Sequence, residues 1–383
     1  MSLLLFVALG GYLLASKINQ SAIIGVIFAG LIIGPSVLGL VTYTDFVRSI
    51  AQLGAVILLF VVGLEFKLQD IFKFKYAIIA LVGVIVPWIG GYFVAKLFGY
   101  NFATAIFIGT ALTATSVAIT ANVLKEMGKL QSDVAKAIIG AAVIDDILGL
   151  LFLSTSQQIA TSSIAILPIA WIFIKAILFV ALGAILGTVY ISKIIRKIDE
   201  SKIANKYPET VFIFAMMIAF LYALVAELIG LSGIIGAFIA GVSLEGVLIR
   251  HSKNYKEGAE YLQIIFASIF FISLGILADV KALTWGVILF LLVLTVIAII
   301  TKLFGCYIPA KMFGMSTKDS LAVGVGMTPR GEVAMIVALI GLNAGLIQQD
   351  IYVSLVFMSL LTTIVTPIAL RNWLFKSPKK TIF

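Results

Sequence analysis

Cysteine and histidine are almost missing from this chain, which has one of each, Cys306 and His251, in 383 residues. One cysteine excludes an intramolecular disulfide and a cysteine-based metal site, and one histidine cannot anchor a His-cluster zinc site. Cys306 reads as a small packing residue inside an apolar run, and His251, in the basic stretch RHSKNYK, as a solvated side chain. Charge is scarce as well, 12% of residues against 62% that are apolar, which excludes an ordinary soluble domain. What remains is an all-α integral membrane protein.

A helix needs about 17 to 25 residues to cross a bilayer. Apolar windows of that order give thirteen expected spans, near 3–16, 21–40, 47–66, 76–98, 102–123, 132–155, 165–192, 209–228, 231–246, 258–279, 283–308, 317–343 and 350–374. Charge placement tests this parse independently, because cytoplasmic loops collect Lys and Arg. With the N-terminus outside and the C-terminus cytoplasmic, only Arg48, Lys96 and Lys281 of the 27 basic residues fall outside, and Lys175, Lys302 and Arg330 fall within spans. The net charge of +9 then belongs to loops facing an anionic inner leaflet and needs no nucleic acid. The first span, followed by Lys17 and lacking an obvious small-residue cleavage pattern, is expected to stay in the mature chain.

A weak internal repeat is present. IIGVIFAG (23–30) aligns with IIGAFIAG (234–241), Phe60 with Phe271, and GTALTAT from Gly109 with GVGMTPR from Gly324, matching Thr113 with Thr328. The halves lie seven expected spans apart, an odd number, so matched segments run in opposite directions. Inverted repeats of this kind belong to secondary transporters, whose sites lie where paired helices are interrupted. Here TALTATSVAIT (110–120) answers GMTPRGEV (326–333). Thr113, Thr115, Ser116 and Thr120 supply hydroxyls for freed backbone groups in the first. Thr328 and Pro329, which lacks an amide proton, with Gly331 predict unwinding around Arg330 and Glu332 in the second. The alternative is a packed Thr-rich helix and a Pro-kinked one with a local ion pair.

AAVIDDILGL (141–150) sets Asp145 and Asp146 in the middle of a span. A charge at mid-bilayer costs about 2.5 to 3.5 kcal/mol on insertion scales, so each must be paired, hydrated or neutralised by a proton. Adjacent helical residues point about 100° apart, so the two acids have different surroundings. Lys302, in VIAIITKLFG, is the expected partner of one, leaving the other to bind something else. Glu65, Glu227 and Lys175 are expected to be structural.

With these residues assembled, the chain resembles monovalent cation:proton antiporter family 2, the sodium/proton and potassium/proton exchangers. IIGVIFAGLIIGPSVLG, LLFVVGLE, GTALTATSVAIT, AAVIDDILGL, GLSGIIGAFIAGVSL and TPRGEV carry the likeness over nearly the whole chain. The resemblance implies a core domain with two crossing discontinuous helices (76–155 and 258–343) beside a dimerisation or scaffold domain (1–66, 165–246 and 350–374), with 47–66 open to either. It implies that Asp145 pairs with Lys302 and that Asp146 is the main cation and proton carboxylate, binding sodium as a transported ion. Thr113, Thr115 and Ser116 match the first unwound segment, and Arg330 and Glu332 the second. The Asp-Asp pair resembles the electrogenic sodium/proton type. No nucleotide-binding regulatory domain is expected after RNWLFKSPKKTIF.

The implied function is antiport of sodium, and of lithium, for protons, in a homodimer in a prokaryotic plasma membrane, with no cofactor and no enzymatic activity. Potassium/proton exchange and sodium-coupled symport of organic anions are the alternatives. An intramembrane aspartyl protease, which also buries two acids, fits poorly, because adjacent acids on one helix cannot face each other and no GxGD is present.

Overall fold

The computed structural model describes residues 1–17, 20–71, 73–160, 166–247, 255–277, 281 and 285–375, and every regular element among them is helical. The α-helices are α1 (Ser2–Lys17), α2 (Ala22–Ile33), α3 (Asp45–Gly63), α4 (Leu68–Ile71), α5 (Phe74–Leu97), α6 (Phe102–Thr113), α7 (Val117–Glu126), α8 (Asp133–Ala160) and α9 (Ile166–Ile185). They continue as α10 (Ser192–Asp199), α11 (Lys202–Lys206), α12 (Thr210–Leu228), α13 (Gly233–Leu244), α14 (Tyr255–Leu277), α15 (Trp285–Met312), α16 (Thr317–Gly326), α17 (Glu332–Asn343) and α18 (Gln349–Ala369). Leu186–Ile191 and Leu370–Leu374 wind as π-helix. His251 and the basic residues Arg250, Lys253, Lys376, Lys379 and Lys380 lie outside the described residues.

Among the described residues, eight helical runs are long and apolar enough to cross a membrane, and α1, α2 and α13 are shorter apolar helices. This is a multi-pass membrane protein. The window 21–40 stops being helical at Ile33, because Pro35 disfavours helical torsions at Gly34. The chain turns back there, with the Leu38 amide on the Ile32 carbonyl and Gly39 at a φ of 63°.

The chain forms two compact units, residues 1–43, 73–164 and 271–383 in one and 44–72 and 165–270 in the other. Segments 1–43 and 350–374, expected on the scaffold side, thus cluster with α5–α8 and α15–α17. Both units use glycine to bring helix backbones together, the packing device available where lipid removes the hydrophobic drive between helices. In the first, a Cβ on Gly30 would strike the Ile272 carbonyl and one on Gly275 the Ile27 carbonyl. In the second, a Cβ on Gly241 would strike the Phe60 carbonyl and one on Gly63 the Phe238 carbonyl. Ile27 and Gly30 align with Phe238 and Gly241, so the sequence repeat recurs as packing. Around the site, α5 packs on α6, α8 and α15. A Cβ on Gly83 would lie 2.5 Å from the Sγ of the fully buried Cys306 on α15, and one on Gly91 would lie 2.9 Å from the Cα of Gly109 on α6.

Candidate ion site at two broken helices

The break between α6 and α7 is Ala114, Thr115 and Ser116; that between α16 and α17 runs from Met327 to Gly331. The two meet. The Ser116 amide donates to the Pro329 carbonyl at 2.8 Å, the Thr115 hydroxyl to the Met327 carbonyl at 3.4 Å, and the Thr120 hydroxyl to the Gly326 carbonyl at 2.6 Å. Unwound backbone at this depth needs such partners, since lipid offers none. Gly331 permits the approach, because any Cβ there would strike the Ser116 side chain.

Beside the first break, the Lys302 ammonium donates to Asp145 Oδ1 at 2.6 Å and to the Thr113 carbonyl at 3.0 Å. Both charged side chains have 0% exposure. The Thr113 carbonyl belongs to the last turn of α6, where acceptors lack helical partners and partial negative charge accumulates. Lys302 therefore answers a carboxylate and a helix end together. Thr115 lies beside the Asp145 carboxyl, whose Oδ2, like Ser116 Oγ, is buried with no hydrogen-bond partner among the described residues. Asp146, next on α8, is partly exposed. Thr113 turns its hydroxyl back to the Thr110 carbonyl at 2.8 Å.

A second buried cation sits at the other break. Arg330, fully buried, donates from Nη1 to the carbonyls of Thr328 at 3.0 Å and Met327 at 3.4 Å, and from Nη2 to that of Ala298 at 3.5 Å. It thus covers the C-terminal end of α16, as Lys302 covers that of α6. The Thr328 hydroxyl returns to the Gly324 carbonyl at 3.0 Å. Glu332 opens α17, and its side chain lies outside the described residues.

A family model described as sodium/hydrogen exchanger, transmembrane, matches residues 3–376. The chain belongs to the sodium/hydrogen exchanger family. This exchanger is 33% identical over 362 residues to the Na(+)/H(+)-K(+) antiporter GerN of Bacillus cereus, covering 94% of this chain and 91% of that protein. It is 34% identical over 362 residues to a Na(+)/H(+) antiporter of Enterococcus hirae, covering 94% and 93%. In fold it is similar to the sodium proton antiporter MjNhaP1 of Methanocaldococcus jannaschii, with a TM-score of 0.69, 98% of both chains covered and 20% identity. The family is one of antiporters, which sets the protease alternative aside.

Four residues of the exchanger that sequence reading does not single out bind its second break and the helix end that precedes it. The Arg330 amide donates to Thr362 Oγ1 at 3.1 Å, and its carbonyl accepts from Ser359 Oγ at 2.8 Å and Thr363 Oγ1 at 2.7 Å. Thr366 donates to the Val325 carbonyl at 3.3 Å. The signal is present in MSLLTTIVT, whose hydroxyls fall at helical spacings of three, four and seven.

Proposed function

We propose that this exchanger expels sodium in return for protons, electrogenically and with lithium as a further cation, by alternating access in which cation and proton compete for Asp146. The observation that carries the reading is the fully buried Asp145–Lys302 pair. It engages one acid of α8 beside an unwound segment, which supports the reading that the exchanged ions bind at the neighbouring, partly exposed acid. A carboxylate holding neither ion carries a charge that opposes passage through lipid, and either ion removes that charge. Sodium, a hard cation, suits Asp146 together with water and hydroxyl or carbonyl oxygen at the break, where Ser116 Oγ has no hydrogen-bond partner among the described residues. Asp145, Thr113, Thr115 and Ser116 shape this side of the site, while Thr328, Pro329, Arg330 and Glu332 shape the other. A second proton leaves Lys302 or Asp145 when sodium draws that carboxylate away.

The core of 76–155 and 258–343 moves against the remaining helices, and the hydrogen bonds from α18 to Arg330 favour adding 350–374 to the moving part. The chain works as a lipid-embedded homodimer in a prokaryotic plasma membrane, N-terminus outside and C-terminus cytoplasmic, as its basic loops suggest.

The test is dequenching of a pH dye in proteoliposomes on adding sodium, lithium or potassium, for the native chain and Asp146→Asn. Sodium-dependent proton movement that the substitution abolishes is expected. A response to potassium alone would favour the potassium reading, for which GerN's name is a precedent. No movement with any cation would refute the exchange reading.

A further inference from the structure

We propose that the hydroxyl stripe of α18, Ser359, Thr362 and Thr363, positions the exchanger's second break and, through it, the cation site at the first. The three hydroxyls hold both polar groups of the Arg330 peptide, its amide on Thr362 and its carbonyl under Ser359 and Thr363. In a continuous helix that amide would bond the carbonyl four residues back, and the carbonyl would receive the amide four residues on. Unwinding removes both partners, and α18 replaces them with side chains from a different helix. All three hydroxyls are at most 2% exposed, so water does not compete for the same peptide.

Two consequences run outward from this grip. Fixing the Arg330 backbone aims its guanidinium at the Met327, Thr328 and Ala298 carbonyls, so the cation over the end of α16 depends on α18 for its place. Fixing the same peptide also places its neighbours on either side. The Pro329 carbonyl takes the Ser116 amide, and Gly331 abuts the Ser116 side chain. Ser116 and Thr115 line the first break, beside Asp145 and Lys302. A path of direct hydrogen bonds therefore leads from α18 to the break where sodium is proposed to bind, without α18 touching the ion. These are positioning residues, and their role rests on the exchange reading above.

Thr363→Val keeps the side-chain shape and removes the hydroxyl, Thr363→Ser keeps the hydroxyl, and Ser359→Ala removes the second donor. Ser354→Ala is the control, since this equally buried serine of α18 donates only along its own helix, to the Asp350 carbonyl at 2.9 Å. In proteoliposomes, Thr363→Val and Ser359→Ala should each raise the half-saturating sodium concentration roughly fivefold, the effect of one net hydrogen bond, and shift the pH profile. Thr363→Ser should restore both values, and Ser354→Ala should leave them native. Hydrogen–deuterium exchange provides a readout independent of transport, with faster exchange over 327–331 in the first two variants only. Native half-saturation and pH profile in Thr363→Val and Ser359→Ala would overturn the proposal, as would an equal effect of Ser354→Ala. If the native chain moves no ions, the exchange reading falls by itself, and unchanged protection of 327–331 would separately refute the grip of α18.

Discussion

The two breaks are aligned in sequence and solve the same problem with different chemistry. The first is three residues, and its last helical carbonyl, at Thr113, is answered by a lysine that also holds a carboxylate. The second is five residues and answers its own end, with Arg330 folded back on Met327 and Thr328. The neighbouring helices differ accordingly: α8 presents Asp145 to the first break, and α18 presents hydroxyls to the second. Among the described side chains, a buried ion pair adjoins the first break and a row of hydroxyls adjoins the second. On the exchange proposed above, ion chemistry gathers on one side of a pseudo-symmetric pair, and the other side is its support.

The comparison breaks first at the ion pair. Lys302→Ala leaves Asp145 buried without its cation and should lower stability by about 3 to 5 kcal/mol, read as a lower unfolding midpoint in detergent. Asp145→Asn combined with Lys302→Met should recover most of that loss, because no isolated charge remains buried. An unchanged midpoint for Lys302→Ala would mean that the pair is hydrated. Next comes the contact between the breaks. Gly331→Ala drives a methyl group into Ser116 and should cost about 1 to 3 kcal/mol, with transport reduced in step. The mildest change sharpens the contrast. Ser116→Ala removes a hydroxyl with no partner among the described residues, so stability should stay within about 0.5 kcal/mol of native while sodium affinity falls. A large loss of stability there would assign Ser116 to the support rather than to the ion.

Much of this arrangement can be read from residue order. Asp145 and Lys302 stand out because charges at mid-span demand partners, and the breaks stand out because hydroxyls, proline and glycine occur at aligned positions of a repeat. Other features depend on neighbours that the sequence does not specify. Hydroxyls at helical spacing also bond within their own helix, as Ser354 does, so the stripe of Ser359, Thr362 and Thr363 acquires its role only from the nearness of Arg330. The carbonyls that the Arg330 guanidinium reaches are likewise free only because the segment unwinds, and the residue pattern alone does not place them around it. The π-helix at 186–191 carries no proline to announce it. Its Gly187 lies against the Ser243 side chain, a contact that no local pattern encodes.

Cys306 gives the packing of α5 on α15 a practical use. The chain's sole thiol lies one helical turn from Lys302, sealed against Gly83 with no exposed surface. A reagent can reach it only when those two helices part. The molecule therefore carries a native reporter of whether the wall beside its ion pair is open or shut, and no cysteine has to be introduced to read it.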